Sequence, residues 1–325
     1  MEPPRLLVAL KPDDEIRSAI RDAFPKVSWA YASELLPDTG SSVEAMLLGS
    51  VERDLVSVDP RRLPRLAFVQ RVYTGMDGVP FDRFPAHVRF AGNVGAYAPF
   101  VAEHAVALAL ATAREIPRSG TMVRAGTLRP PPVQRLLWRR TVLILGFGEI
   151  GRAIATRLAG FEVHLRGLNR TGAPVEGCER MFASDQLLDA VRGADFVFDA
   201  RPRTKATEGT IDRAVLEAME PTAVFVNVGR ARTVREEDLY HHLRTHPEFR
   251  AGLDVWWHED LVNGRLEHRF PFYDLPNVVG TPHSAGFGAG VERYVLERAL
   301  ANLTRYFSGE TPLHLVDPSE YSVDP

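Results

Sequence analysis

Short apolar runs alternate with amphipathic stretches along most of the chain. In the first hundred residues Leu6 to Leu10, Ala45 to Gly49, Leu66 to Tyr73 and Val88 to Ala91 are apolar and bounded by Pro, Gly, Asp or charge. Such runs predict buried strands of a parallel sheet. Asp14 to Phe24 carries a helical period between two of them. A second series begins at Thr141 to Leu145 and continues through Glu162 to Leu168, Asp195 to Asp199, Ala223 to Asn227, Ala251 to Val255 and Asn277 to Val279. Helical stretches separate most of these: Ile150 to Leu158, Ser184 to Val191, Arg213 to Met219 and Glu236 to Leu243. The alternation predicts an α/β fold with a doubly wound parallel sheet in each half.

Between the two series, Val101 to Ile116 is apolar on nearly every face, so as a helix it needs cover all round. A helix between domains, a subunit interface or a core position would each supply that. Arg129-Pro130-Pro131-Pro132 then reads as loop. An amphipathic helix, Val291 to Phe307, closes the pattern. If it packs on the N-terminal half, that domain is discontinuous, with domains drawn at 1–98 plus 287–325 and at 99–286.

The 325 residues allow two domains, and 45% hydrophobic and 25% charged content are those of an ordinary soluble chain. Net charge of −3 and the absence of a basic run interleaved with aromatics argue against nucleic-acid binding. The single cysteine, Cys178, rules out an intrachain disulfide and a cysteine-built metal site, and no metal is expected. Neither a signal peptide nor a membrane-length apolar run is present, so the expected location is cytoplasmic.

Gly146-Phe147-Gly148-Glu149-Ile150-Gly151 follows a strand and opens a helix. In that context Gly146 permits the turn, Gly148 admits a pyrophosphate close to the backbone, and Gly151 lets helix pack on strand. Dinucleotide binding is the expected function. At the end of the next strand an NAD enzyme usually carries an acid for the ribose hydroxyls. Here the segment is Leu168-Asn169-Arg170-Thr171-Gly172. A guanidinium can bind a 2′-phosphate that a carboxylate would repel, so Asn169, Arg170 and Thr171 favour NADP(H) over NAD(H), with use of both left open. Arg201 and Arg203, just after the following strand, could border the same phosphate.

Three further stretches carry polar groups at predicted strand ends: Asn227-Val228-Gly229-Arg230, Asp254-Val255-Trp256-Trp257-His258-Glu259 and Thr281-Pro282-His283-Ser284-Ala285-Gly286. Ligands of open parallel sheets gather at that edge. A guanidinium, a carboxylate and an imidazole there could hold an anionic keto acid and protonate its carbonyl.

From about Leu66 to Gly286, these motifs in this order resemble the D-isomer-specific 2-hydroxyacid dehydrogenases, including glyoxylate and hydroxypyruvate reductases. Val101-Ala102-Glu103-His104 and Pro202 with Thr204, Thr207 and Gly209 add support. The resemblance implies a flavodoxin-like substrate domain beside a Rossmann dinucleotide-binding domain. It implies that His283 is the acid and base, that Glu259 orients the imidazole and favours its protonated form, and that Arg230 binds the carboxylate and polarises the carbonyl. It also implies that Asp254, Val228 and Gly229 lie along the nicotinamide side, with Arg230, His283 and Ala285 near the cofactor. The loop holding Thr74, Gly75 and Met76 would bind the substrate carboxylate through backbone amides. The implied activity is hydride transfer between NAD(P)H and a small 2-keto acid. A homodimer through Val101 to Ile116 is implied as well.

The chain departs from the family pattern at three places. Ala231 replaces a glycine after the arginine. Arg201 and Arg203 flank Pro202, where Leu is usual. Trp256-Trp257 stands where Phe-Pro is more common, making a bulkier wall near Glu259 that could meet the substrate side chain. Two other functions keep the same cofactor motif: a non-catalytic dinucleotide sensor of the corepressor type, and a formate- or phosphonate-type dehydrogenase.

Overall fold

The computed structural model of the protein describes residues 3–35, 40–50, 55, 58–128 and 134–321. The Arg129 to Pro132 loop lies outside them. The chain divides into two compact units, Met1–Tyr97 with Gly288–Pro325, and Ala98–Phe287.

In the first unit, five parallel strands stand in the order β5-β4-β3-β1-β2: Leu6–Ala9 (β1), Trp29–Tyr31 (β2), Ala45–Leu48 (β3), Phe68–Arg71 (β4) and Arg89–Ala91 (β5). A late strand, Leu315–Val316 (β15), adds antiparallel to β5. The core of each central strand is buried on both faces, which is why they read as unbroken apolar runs. The first helix, Asp14–Ala23 (α1), begins where the Asp13 carboxylate accepts from the Glu15 and Ile16 amides. The last, Val291–Phe307 (α8), presses Leu296, Ala299, Leu300 and Leu303 into the same core as Leu6, Val8 and Ile20. Two buried amide side chains fix its seat: Asn302 Nδ2 donates to Gln70 Oε1 at 2.6 Å, and Asn93 Nδ2 to the Val295 carbonyl at 2.8 Å. The C-terminal helix thus returns to the N-terminal unit.

The second unit opens with Ala98–Ala113 (α2) and Ile116–Arg124 (α3). One unbroken helix from Val101 to Ile116 is expected from the apolar pattern; it stops instead at Ala113, with Glu115 left-handed at φ 51°. Pro117 explains the break, because it lacks the amide that would bond the Ala113 carbonyl and its ring crowds that carbonyl. The freed oxygen accepts from the Arg135 amide at 2.9 Å and from Arg250 Nη1 at 2.7 Å. Nor is α2 covered all round: Ala102, Ala105, Leu108 and Ala109 are buried, whereas Ala107 is exposed and Val106 and Leu110 are half-buried.

Seven parallel strands follow: Thr141–Leu145 (β6), His164–Leu168 (β7), Arg180–Phe182 (β8), Phe196–Asp199 (β9), Val224–Asn227 (β10), Arg250–Leu253 (β11) and Val278–Gly280 (β14), in the order β14-β11-β10-β9-β6-β7-β8. Helices Glu149–Leu158 (α4), Leu187–Ala190 (α5), Arg213–Ala218 (α6) and Glu236–Thr245 (α7) connect them, and a two-strand hairpin, Glu259–Asp260 (β12) with Arg265–Leu266 (β13), precedes β14. The strand order reverses between β6 and β9, the topological switch point where such sheets bind ligands at their carboxyl ends. Among the described residues, no helix is long and apolar enough to cross a membrane.

Candidate active site

The glycine loop joins β6 to α4. Gly146 has φ +87°, and a side-chain carbon on Gly151 would run into the Gly146 carbonyl. Beside Gly148, by contrast, a side-chain carbon would meet nothing within 4 Å. Helix α4 starts at Gly148 with no side-chain cap on its first amides. A close turn, a tight packing contact and a bare helix terminus beside an open backbone suit a dinucleotide pyrophosphate.

At the end of β7 the segment Asn169-Arg170-Thr171 forms a tight loop. Asn169 Oδ1 accepts from the Thr171 and Gly172 amides at 3.1 and 2.6 Å, and its Nδ2 donates to the Ala173 carbonyl. Asn169 therefore shapes the loop that carries Arg170 and Thr171, both exposed. Arg201 and Arg203 are each engaged by a carboxylate. Arg201 is buried and grips Asp199 through two nitrogens, at 2.9 and 2.7 Å, because a guanidinium taken out of water needs a carboxylate partner. Arg203 pairs with Glu208 at 2.9 Å. Asp199 also accepts from Thr233 Oγ1 at 2.8 Å, and the same hydroxyl lies 2.8 Å from the Arg230 carbonyl.

Arg230 follows β10 in extended conformation and caps the short 3-10 turn Ala231–Thr233. Asn227 Nδ2 also donates to its carbonyl, and Nη1 of Arg230 donates to the Gly229 carbonyl at 2.9 Å. The backbone is fixed from three sides while the half-buried guanidinium stands at the carboxyl end of the sheet. Ala231, in place of the usual glycine, is buried and begins the 3-10 turn.

Glu259 sits on the β12 hairpin, whose turn is closed by Asp260 accepting from Asn263 through both oxygens. A residue on a hydrogen-bonded ladder holds its direction better than one on an open loop. From there Glu259 Oε2 reaches His283 Nδ1 at 2.7 Å, and Oε1 accepts the Trp256 amide at 2.7 Å. Both side chains are largely covered, at 16% exposure for Glu259 and 26% for His283. His283 itself is left-handed, φ 53°, a conformation that costs a β-carbon-bearing residue roughly 1–2 kcal/mol.

That strained turn is held by Asp254. Its carbonyl accepts the His283 amide at 2.8 Å, and its carboxylate accepts from Thr281 Oγ1 at 2.6 Å and from the Ser284 and Ala285 amides at 2.9 and 3.1 Å. His104 of α2 completes the cluster, 3.0 Å from Thr281 Oγ1 and 3.4 Å from Asp254. Burial pushes the Asp254 carboxyl up, but the bonds from His104, Thr281, Ser284 and Ala285 outweigh it and hold the group below its ordinary value. Asp254 thus positions the histidine loop, and His104 with Thr281 belongs to the same support. The family resemblance flags His104 only as part of a helix opening; that it reaches Thr281 is evident only from the fold.

Trp257 is turned away from any substrate, whereas Trp256 is half-buried. Trp257 is buried, stacks on Phe272 and donates to the Val234 carbonyl; Trp256 donates its indole N–H to the Thr281 carbonyl at 2.9 Å. In the other unit, the Thr74 hydroxyl donates to the Asn93 carbonyl and the Met76 side chain is buried in the core, so Gly75 and Met76 can offer only backbone.

The sequence profile described as D-isomer specific 2-hydroxyacid dehydrogenase, NAD binding domain, matches residues 106–285. A glyoxylate reductase of Thermococcus onnurineus is 30% identical over 334 residues, covering 97% of this chain and 96% of that one. Among solved structures, a putative formate dehydrogenase from Pyrobaculum aerophilum has a TM-score of 0.81 at 30% identity, covering 98% of this chain and all of that one. A D-isomer specific 2-hydroxyacid dehydrogenase of Xanthobacter autotrophicus Py2, solved with NADPH and MES, has a TM-score of 0.80 at 26% identity, with 97% and 98% covered. The chain belongs to the D-isomer specific 2-hydroxyacid dehydrogenase family. It is an NAD(P)-dependent oxidoreductase of the glyoxylate reductase-like kind.

Proposed function

We propose that this enzyme reduces small 2-keto acids such as glyoxylate or hydroxypyruvate with NADPH, using His283 as the proton donor. The observation that carries the reading is the 2.7 Å bond between His283 Nδ1 and Glu259. With Nδ1 held by a carboxylate, Nε2 is the nitrogen that meets the carbonyl oxygen, giving up its proton in reduction and taking one in oxidation. Glu259 fixes the tautomer and stabilises the imidazolium. Arg230 clamps the substrate carboxylate and stabilises charge that builds on the carbonyl oxygen. The bound nicotinamide supplies the hydride.

Residues Gly146, Gly148, Glu149, Ile150 and Gly151 would hold the pyrophosphate, Val228, Gly229 and Ala285 would flank the nicotinamide end, and Arg170 with Thr171 would bind the 2′-phosphate. That the backbone of Thr74, Gly75 and Met76 binds the carboxylate rests on family resemblance and is tested by Gly75→Val, which should raise the KM for keto acid and spare that for NADPH.

The Glu259–His283 pair also weighs against formate as substrate. Formate oxidation moves a hydride from an anion to the cofactor without proton exchange at a hydroxyl, so it has no use for an imidazole acid. The decisive assay follows 340 nm absorbance with NADPH or NADH against a panel of glyoxylate, hydroxypyruvate, pyruvate and a branched keto acid, and with NADP+ or NAD+ against formate. Turnover with no keto acid would end this reading, leaving the formate-type dehydrogenase if formate is oxidised and the dinucleotide sensor if it is not. We also propose a homodimer. Its apolar contact would centre on Ile116, Val123, Leu136 and Trp138, large side chains left exposed at and after the α2–α3 break, and light scattering of the purified enzyme tests it.

A further inference from the structure

Trp256 directs both of its N–H groups to the Glu259–His283 pair's supports. Its amide donates to Glu259 Oε1 at 2.7 Å, the oxygen not used by His283. Its indole Nε1 donates at 2.9 Å to the Thr281 carbonyl, which also accepts the His283 amide at 3.1 Å. The ring lies over Gly280, where a side-chain carbon would stand 2.7 and 2.9 Å from two of its atoms. On its other sides it meets His268 edge-on at 5.5 Å and Phe272 at 6.4 Å.

We infer that Trp256 is a positioning residue: it ties the glutamate segment to the histidine turn and so sets the Glu259–His283 hydrogen bond. This rests on the proposed acid–base role of His283. The strained turn at His283 has no regular ladder of its own, and His283 N–H alone is shared between the Thr281 and Asp254 carbonyls. A second donor on the Thr281 carbonyl, fixed to the segment that carries Glu259, limits how far the imidazole can drift from the carboxylate. Displacements of under an ångström matter for proton transfer. Gly280 is the matching half of the device, since any larger residue would lift the indole off its carbonyl. Trp257 donates an indole N–H in the same way, but to Val234 in the core.

Trp256→Phe keeps the ring and removes the donor. Gly280→Ala keeps the donor and displaces it. Trp257→Phe removes an equivalent bond away from the pair. Each variant is tested in the full-length enzyme for kcat and KM, for thermal midpoint, and for the downfield imidazole N–H proton resonance that a 2.7 Å bond to a carboxylate gives, assigned by its loss in His283→Asn. We expect Trp256→Phe and Gly280→Ala to lower kcat roughly ten- to hundred-fold, to leave the KM for NADPH within about two-fold, and to weaken or shift the resonance. Trp257→Phe should lower the thermal midpoint and keep the resonance. A folded Trp256→Phe enzyme with unchanged kcat and resonance overturns the inference, as does equal loss of the resonance in Trp257→Phe. The resonance needs no substrate, so a wild-type enzyme silent towards keto acids would fail the functional reading while leaving this comparison to be decided.

Discussion

Glu259 meets His283 through one oxygen and the Trp256 amide through the other, both at 2.7 Å. With each oxygen engaged, the carboxylate cannot rotate away without breaking a bond, and the imidazole tautomer is fixed. Replacing Glu259 by Gln preserves the shape and removes the charge that stabilises an imidazolium. Glu259→Gln should therefore lower kcat on the order of 10²-fold, and His283→Ala more, with NADPH affinity within a few-fold of wild type. Fluorescence titration with NADPH beside steady-state kinetics separates the two effects, and lost cofactor binding in His283→Ala would mean the histidine is structural.

Asp254 makes a different prediction, because its carboxylate is buried beneath the turn and accepts from two amides and a hydroxyl. In Asp254→Asn one oxygen becomes a donor facing a donor. The cost of an unmatched buried group is about 1–3 kcal/mol, read by urea unfolding at neutral pH, and kcat should fall with it as the His283 turn loosens. Since the folded carboxyl is held below its ordinary value, its contribution is present above the unfolded value of about 4 and is lost as pH falls through the lower folded one. An Asn variant as stable and as active as wild type would remove Asp254 from the support.

Much of this was legible from the residues. Runs such as Thr141–Leu145 and Val224–Asn227 are buried on both faces, and such strands announce themselves as unbroken apolar sequence. Arg230, Glu259 and His283 stand out in the sequence because strand ends locate ligand-facing positions in this topology. Strands Trp29–Tyr31 and Arg180–Phe182 are three-residue sheet edges, too short to carry a pattern of their own. The Pro117 break was visible but outweighed by the apolar pattern around it. Charge partners are the least visible in sequence. Arg201 looks like a ligand-facing cation until its partner, Asp199 two residues away, is seen beneath it. The indole donors of Trp256 and Trp257 could not be told from bulk.

Arg170 and Asn169 should separate under mutation, since one stands exposed on the loop and the other builds it. Arg170→Asp places a carboxylate where the 2′-phosphate is proposed to sit, and the ratio of kcat/KM for NADPH over NADH should fall at least about ten-fold, the equivalent of roughly 1.4 kcal/mol. Asn169→Ala releases the Thr171 and Gly172 amides and should weaken both cofactors together. An unchanged ratio in Arg170→Asp would show that the phosphate is read elsewhere or not at all.

His242 lies between Arg230 and Glu259 in the sequence and carries the clearest pH prediction. On α7 it is 7% exposed, with its ring stacked on His246 at 4.1 Å and against Phe249 at 4.6 Å. Burial, and secondarily the neighbouring His246, push it down to about 4. An unfolded histidine titrates near about 6.5. Above that value both states are neutral and no stability is lost. As pH falls from about 6.5 towards 4 the unfolded chain takes up a proton that the folded chain refuses, so stability declines, by roughly 2–3 kcal/mol across the window, and levels off below it. His242→Phe removes the proton site while keeping an aromatic ring in the stack. Urea unfolding of wild type and variant at pH 7 and pH 5 should give curves that diverge at the lower pH, with the wild type losing more; parallel losses would show that His242 is not the group responsible.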